Sequence, residues 1–295
     1  MSFFLFNLLN GMQLSMLLFL MAIGFTITFG LMNILNLAHG AFYMVGAYMG
    51  YMVGSLTGSF WLALLLAPLI PMVLGFLLQY LVLQPLVDRG RDIHLDMALL
   101  TFGLLFFVVG VAELVSIEIL HITFASIRKP ALLAGYVNIG LPYPSFRLFI
   151  IGLGIAVGLL VWLLLERTII GAVVRGGVDD QETVRTMGID VHLVFAGVFA
   201  FGCWLAGISG VVAGAELSID SSMAASILVP TLIVVVLGGL GSVKGCFIGA
   251  IVVGMTQTLT QAYAPAIAAY SIYILLTLIL VVRPQGIFGR APGAA

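Results

Sequence analysis

Apolar runs long enough to cross a lipid bilayer recur from one end of this 295-residue chain to the other. A helix needs about 20 apolar residues to cover the hydrocarbon. Runs of that order stand at 12–35, 38–56, 60–83, 97–117, 147–165, 195–215, 228–243, 245–262 and 267–283. With 62% hydrophobic and 8% charged residues, too little polar surface remains to clothe a soluble core. In lipid every backbone N–H and C=O must be satisfied within the protein, which for runs of this length means helices. The expected fold is therefore an all-α polytopic membrane protein, a bundle of eight or nine transmembrane helices, some short or broken. It forms a single transmembrane unit over residues 1–295. The count turns on 228–243, which is short and interrupted by Gly238, Gly239 and Gly241, as half a span or one limb of a broken helix would be.

Basic residues set the direction, because Lys and Arg are retained on the cytoplasmic side. Under nine spans, Arg89, Arg91, Arg167, Arg175, Arg185, Lys244, Arg283 and Arg290 share one side, against Arg128, Lys129 and Arg147 on the other. The N-terminus is then outside and the C-terminus cytoplasmic. The segment from about 118 to 146, with Pro130, Pro142 and Pro144, becomes the main external loop. No Lys or Arg precedes Arg89 and no small-x-small pattern follows the first apolar run, so 12–35 is expected to stay as a span rather than be cleaved. Cys203 and Cys246 lie inside apolar runs, too few and too embedded for a disulfide framework or a metal site. The net charge of −1 gives no ground for a nucleic-acid partner.

Small residues at every fourth position mark faces where helices can touch. Gly46, Gly50, Gly54 and Gly58 form one track, Gly202, Ala206, Gly210 and Gly214 a second, and Gly241, Gly245 and Gly249 a third. The hydrophobic effect does not pull helices together in lipid, so close backbone approach must, and packing within the chain is the simplest use of such tracks. Two glycine-rich junctions place polar groups at or near membrane depth. One holds Asn33, Asn36, His39 and Gly40; the other holds Gly238, Gly239, Gly241 and Ser242 ahead of Lys244. Irregular backbone there needs protein or a water-filled cavity to satisfy it, which makes both junctions candidates for a translocation path or gate. Plain hydrogen-bonded packing is the alternative for each.

Between two apolar spans lies a hydrophilic stretch, about 166–194. Its pattern predicts a helical run that breaks at Gly176-Gly177, restarts at Asp179-Asp180 as a short charged helix, and ends at Gly188, where a C-cap glycine belongs. Gly171, Arg175, Asp179, Asp180, Glu182, Arg185 and Gly188 are its candidate functional positions. Flanking spans would hold it against the membrane as a docking surface for a soluble partner, or it is a solvated loop.

The chain resembles the membrane permease subunits of high-affinity branched-chain amino acid ABC transporters. The matching stretches are Gly30 to Gly40 with Gly46-Ala47-Tyr48, Gly171 to Gly188, Leu205 to Gly210, Val236 to Gly245, and Arg283 to Gly289. Together they span almost the whole chain. The resemblance implies a second related permease subunit, two cytoplasmic ATPase subunits carrying ATP and Mg, and an external solute-binding protein, in a bacterial-type inner membrane. It also implies that Arg175 to Gly188 is the coupling segment that enters an ATPase cleft. The pattern is kept at Gly171, Arg175 and Gly188. It departs at Gly176 and Thr183, where alanine is expected, and at Ala41, where relatives commonly carry a glutamate, so no role for that carboxylate transfers.

The chain has no G-x-x-x-x-G-K-[ST] sequence, so it is not expected to hydrolyse ATP itself or to hold a cofactor. No nucleophile elbow or catalytic dyad stands out, which disfavours a membrane-embedded enzyme. An ion-gradient-driven secondary transporter would want a carboxylate or histidine relay at mid-membrane, and Asp and Glu are scarce there. Glu113 and Glu118 stand near the outer end of the fourth span, as interface groups or functional ones. Glu216 and Asp220, at the outer end of the sixth, are candidates to meet a binding protein or the ammonium of an amino acid. Branched-chain amino acids are the first expectation for the solute, with urea, short amides and other organic acids left open.

Overall fold

The computed structural model describes residues 2–32, 36–87, 93–115, 124–138, 140, 142–179, 184 and 186–288. Helices build nearly all of it: α1 (Ser2–Met32), α2 (His39–Thr57), α3 (Phe60–Leu66), α4 (Leu69–Leu78), α5 (Gln84–Val87), α6 (Ile93–Glu113), α7 (Ser145–Arg167), α8 (Ile169–Asp179), α9 (Val191–Glu216), α10 (Met223–Gly238), α11 (Val243–Tyr263) and α12 (Ala268–Val282). Seven helical segments are long and apolar enough to cross a membrane. The 19-residue α2 and the shorter, 16-residue apolar α10 stand beside them, so among the described residues the count is roughly consistent with the eight or nine expected. Two three-residue strands, β1 (Tyr136–Asn138) and β2 (Pro142–Pro144), pair antiparallel in the loop between α6 and α7, a small departure from an all-helical chain.

Helices α1 and α9 form the centre. Their most apolar windows are 83% and 67% buried, whereas the remaining candidate spans bury a third or less. The first helix begins ten residues before the expected 12–35, because its early polar side chains are satisfied in place. Asn7 donates to the Phe3 carbonyl (2.9 Å), and Asn10 is held by groups from another helix, described below. The segment 60–83 is one span in several pieces. Pro68 separates α3 from α4, and Pro85 cannot donate to the Leu81 carbonyl, so the ladder loosens into a π turn over Gln79–Leu83.

The glycine tracks resolve into particular approaches. A methyl group built on Gly46 would sit 2.5 Å from Gly207 Cα, and one on Gly50 would sit 2.8 Å from Ile127 Cδ1 and 2.9 Å from Val211 Cγ2. At Gly54 the nearest atoms stand off at 3.7 Å, and Gly58 meets nothing: with φ of 67° it caps α2 instead. Gly210 fits against the Tyr43 carbonyl, and Gly202 against Thr28 and the Gly24 carbonyl. Gly245 lies against the Gly238 main chain and Gly249 against the Val234 carbonyl, so α10 and α11 fold into a tight antiparallel pair. Ser242 opens α11 by accepting from the Gly245 N–H (3.0 Å).

One local expectation is corrected. The helix α8 does not break at Gly176-Gly177 but runs through both to Asp179. Gly177 faces the Phe195 ring at the start of α9, 3.2 Å from where a methyl would lie, so the missing side chain is used for packing rather than for a turn. The restart expected at Asp179-Asp180 lies outside the described residues beyond Asp179. Gly188 has φ of +81° and follows a short turn closed by Met187 N donating to the Val184 carbonyl (3.2 Å).

Candidate functional site

Two ends of the bundle can be told apart from helix directions. Helix α7 runs parallel to α1: Arg147 reaches Asn10, Gly154 packs on Met16, and Gly158 packs on Phe19. The end of α7 at Arg167, the helix α8 and the last turn of α1 therefore share one end. The α10–α11 turn is there too, since a methyl on Gly30 would sit 2.9 Å from Gly241 Cα. Arg175, Lys244 and Arg283 belong to this end, and Lys129 and Arg147 to the other.

At the first end the turn carries Gly239 at φ 98° and Gly241 at φ 79°, conformations that side chains rarely adopt. The segment after α12 folds back onto it. Ile287 N donates to the Leu237 carbonyl (2.8 Å) and Phe288 N to that of Gly238 (3.1 Å), closing off carbonyls that the end of α10 leaves free. Beside it α8 lies as an amphipathic helix with Gly171, Val174 and Gly177 turned inward. Ile169 and Ile170 remain 84% and 59% exposed. Gly171 is pressed on the Leu165 main chain, and the Arg175 guanidinium donates to the Leu165 carbonyl. Arg175 thus caps the last turn of α7 and sets the angle at which α8 leaves it.

The inner junction is built on the first turn of α2. Asn36 accepts from Ala38 N through Oδ1 (3.1 Å), and Leu37 N donates to Thr101 Oγ1 on α6 (3.2 Å). His39 is fully buried, its ring edge-on to Phe25 at 5.5 Å. Gly40 lies against the Ala224 carbonyl at the start of α10, where a methyl would come to 2.6 Å. Asn33, Asp180, Glu182 and Arg185 lie outside the described residues, as do Glu118, Arg89, Arg91 and Arg290.

At the opposite end Glu216, its side chain only 6% exposed, receives Lys129 Nζ on one oxygen and Arg147 Nε on the other, both at 2.7 Å. Arg147 also donates to Asn10 Oδ1 (2.9 Å), which accepts from the Tyr143 hydroxyl as well (3.2 Å). Burial pushes the Tyr143 phenol up to about 12, opposed by the neighbouring Arg147 guanidinium, so it keeps its proton and remains a donor. Backbone bonds between Ala125 and Ile219, and from Ile127 N to the Gly214 carbonyl, complete the attachment of the loop to α9. Glu216 is therefore committed to ion pairs. Asp220 accepts from Ser222 N (2.8 Å) at the start of α10.

A family described as "Branched-chain amino acid transport system / permease component" matches residues 7–282. The chain belongs to that family. Among relatives it is similar to the high-affinity branched-chain amino acid transport system permease protein LivH of Escherichia coli K12, at 27% identity over 98% of this chain and 96% of that one. It is also similar to the probable LivH of Methanocaldococcus jannaschii, at 28% identity over 93% and 89%. The LivM permease of Escherichia coli K12 aligns at 28% identity over 93% of this chain and 68% of its own length.

The chain is thus a multi-pass permease subunit of the ABC transport type, and the ion-gradient alternative has nothing in its favour. In this permease the outer cluster of Asn10, Lys129, Tyr143, Arg147 and Glu216 was not anticipated as a unit. Its only sequence signal was an asparagine beside an apolar run and a glutamate at the end of one. Glu113 is exposed at the end of α6.

Proposed function

We propose that the permease forms, with a second related permease subunit, the inward path for branched-chain amino acids across a bacterial inner membrane. Two cytoplasmic ATPase subunits holding ATP and Mg would drive it, and an external solute-binding protein would feed it. The N-terminus is then outside and the C-terminus cytoplasmic. The names carried by the LivH relatives support the solute class. The observation that carries the energy-coupling reading is α8: a short helix outside the spans, held by Arg175 and Gly171 at the end of α7 and by Gly177 on α9, with Ile169 and Ile170 uncovered. A helix so fixed passes a push from a soluble partner directly to α7 and α9. Asn36, His39, Gly40 and the 238–242 turn are the proposed gate elements at the inner junctions.

A mild-detergent pull-down of tagged permease from its native membranes tests the assembly, with two ATPases and a second permease as the expected companions. Recovery of the chain alone or only with itself would defeat the reading. The variant Arg175→Glu removes the cap on Leu165 and should lower ATP-driven leucine uptake by about tenfold, within the usual range of coupling between sites. Normal uptake by that variant would remove α8 from the coupling path.

A further inference from the structure

The chain leaves α9 at one height in the bundle and starts α10 at another. Gly202 and Glu216 mark the two heights on α9, about 21 Å apart at ~1.5 Å per residue. A methyl on Gly24 would sit 2.5 Å from the Gly202 carbonyl oxygen and 3.1 Å from the His39 ring, so the first turn of α2 lies at the Gly202 height. Gly40 in that turn meets the Ala224 carbonyl, which puts the start of α10 there too. The link from Glu216 therefore runs back into the bundle rather than across its outer face. It does so extended: Leu217 has φ of −108° and ψ of 175°, and Ile219 pairs antiparallel with Ala125 while its side chain lies against Gly214. At ~3.3 Å per residue, the stretch 216–224 is long enough for that return.

Asp220 lies halfway along it. The middle of α7 packs through Gly154 and Gly158 on Met16 and Phe19. These stand on α1 between Asn10, held by Arg147 at the Glu216 height, and Gly24, at the Gly202 height. The centre of the bilayer falls between the two heights, so a carboxylate that the sequence puts at the outer end of a span is set near mid-membrane.

The link is open on one side. Leu217, Ser218 and Ser222 are exposed, and Asp220 and Ser221 are half-buried. Irregular backbone and a carboxylate are tolerated at this depth against protein or a water-filled cavity, not against lipid tails. Asp220 Oδ1 accepts from Ser222 N (2.8 Å) and from the Ser222 hydroxyl, whereas Oδ2 accepts no bond among the described residues. The cations of the outer cluster, Lys129 and Arg147, are both held by Glu216. One carboxylate oxygen is thus left at membrane depth without a counter-charge, and what completes it is a cation bearing N–H donors.

We propose that Asp220 lines the translocation path at mid-membrane and takes the ammonium of the transported amino acid, Oδ2 accepting from it while Oδ1 stays on Ser222. The site rests on the amino-acid importer reading above and adds to it the part of the solute that this chain itself recognises.

Asp220→Asn separates this role from a structural one. It adds no charge, and asparagine caps a helix as well as aspartate does, so a purely structural Asp220 predicts unchanged transport. Uptake of radiolabelled leucine by the reconstituted importer should fall by about tenfold or more with the complex still co-purifying, and normal uptake overturns the proposal. A second measurement reads what the carboxylate faces. Cys203 and Cys246 are fully buried, so Ser222→Cys supplies the one reachable thiol among the described residues. In the solubilised importer it should react with a trimethylammonium methanethiosulfonate in preference to a sulfonate one, and Asp220→Asn should lower that preference by about tenfold. Excess leucine should protect the thiol, whereas isocaproate, the same molecule without its ammonium, should not. A thiol that neither reagent reaches, as in lipid or in a dry contact with the second permease, overturns the site. So does a preference indifferent to Asp220, or equal protection by the two solutes. Absence of leucine uptake by the unaltered importer would instead sink the parent reading, and the solute assignment with it.

Discussion

Glu216 is the residue whose setting most limits what it can do. Two cations share one carboxylate that lies 87 and 69 positions away from them in the chain. Replacing it by Gln leaves Lys129 and Arg147 facing each other with no counter-charge. Breaking a buried pair costs about 3–5 kcal/mol, but the two cations keep about a third of their side-chain surface in water, so about 1–2 kcal/mol is expected here. In detergent, Glu216→Gln should lower the thermal midpoint by a few degrees. Lys129→Met should lower it less, because Arg147 still neutralises the carboxylate. Equal midpoints for both variants and the unaltered protein would mean that the cluster does not hold the outer loop in place.

Along α2 the distances predict a graded response to one added methyl. At Gly46 the obstacle is the Gly207 main chain, which cannot swing aside; at Gly50 it is the ends of Ile127 and Val211, which can shift a little; at Gly54 there is room. Gly46→Ala should cost about 2–3 kcal/mol and Gly50→Ala about 1 kcal/mol. Gly54→Ala should stabilise by about 0.5–1 kcal/mol through helix propensity alone. Melting midpoints in the reverse order would mean that α2 turns another face to α9. The four-residue spacing was enough to find the packed face of α2 but not where the contact ends, because the departure of α9 from α2 is a property of two helices. Gly176-Gly177 misled for the same reason: adjacent glycines look like a break until the Phe195 ring that needs the space is known.

For the molecule as a whole, span number was readable because the bilayer fixes helix length, and the start of α1 was not, because Asn7, Asn10, Gly11 and Gln13 interrupt the apolar run. The local bond from Asn7 to the Phe3 carbonyl and the partners of Asn10, more than 130 positions away, explain why the helix continues through them. Which end of the bundle faces the cytoplasm rests on the basic residues, and it can be measured directly. Leu132 in the outer loop is 85% exposed and Met187, beyond α8, is 71% exposed, whereas Cys203 and Cys246 are both fully buried. The native thiols should therefore give little background. A membrane-impermeant maleimide applied to intact cells should label Leu132→Cys at once and Met187→Cys only after the membrane is opened. The opposite pattern would turn the permease over, place α8 outside, and deprive the proposed coupling helix of any access to a cytoplasmic ATPase. The same two variants thus examine the orientation and the mechanism that depends on it.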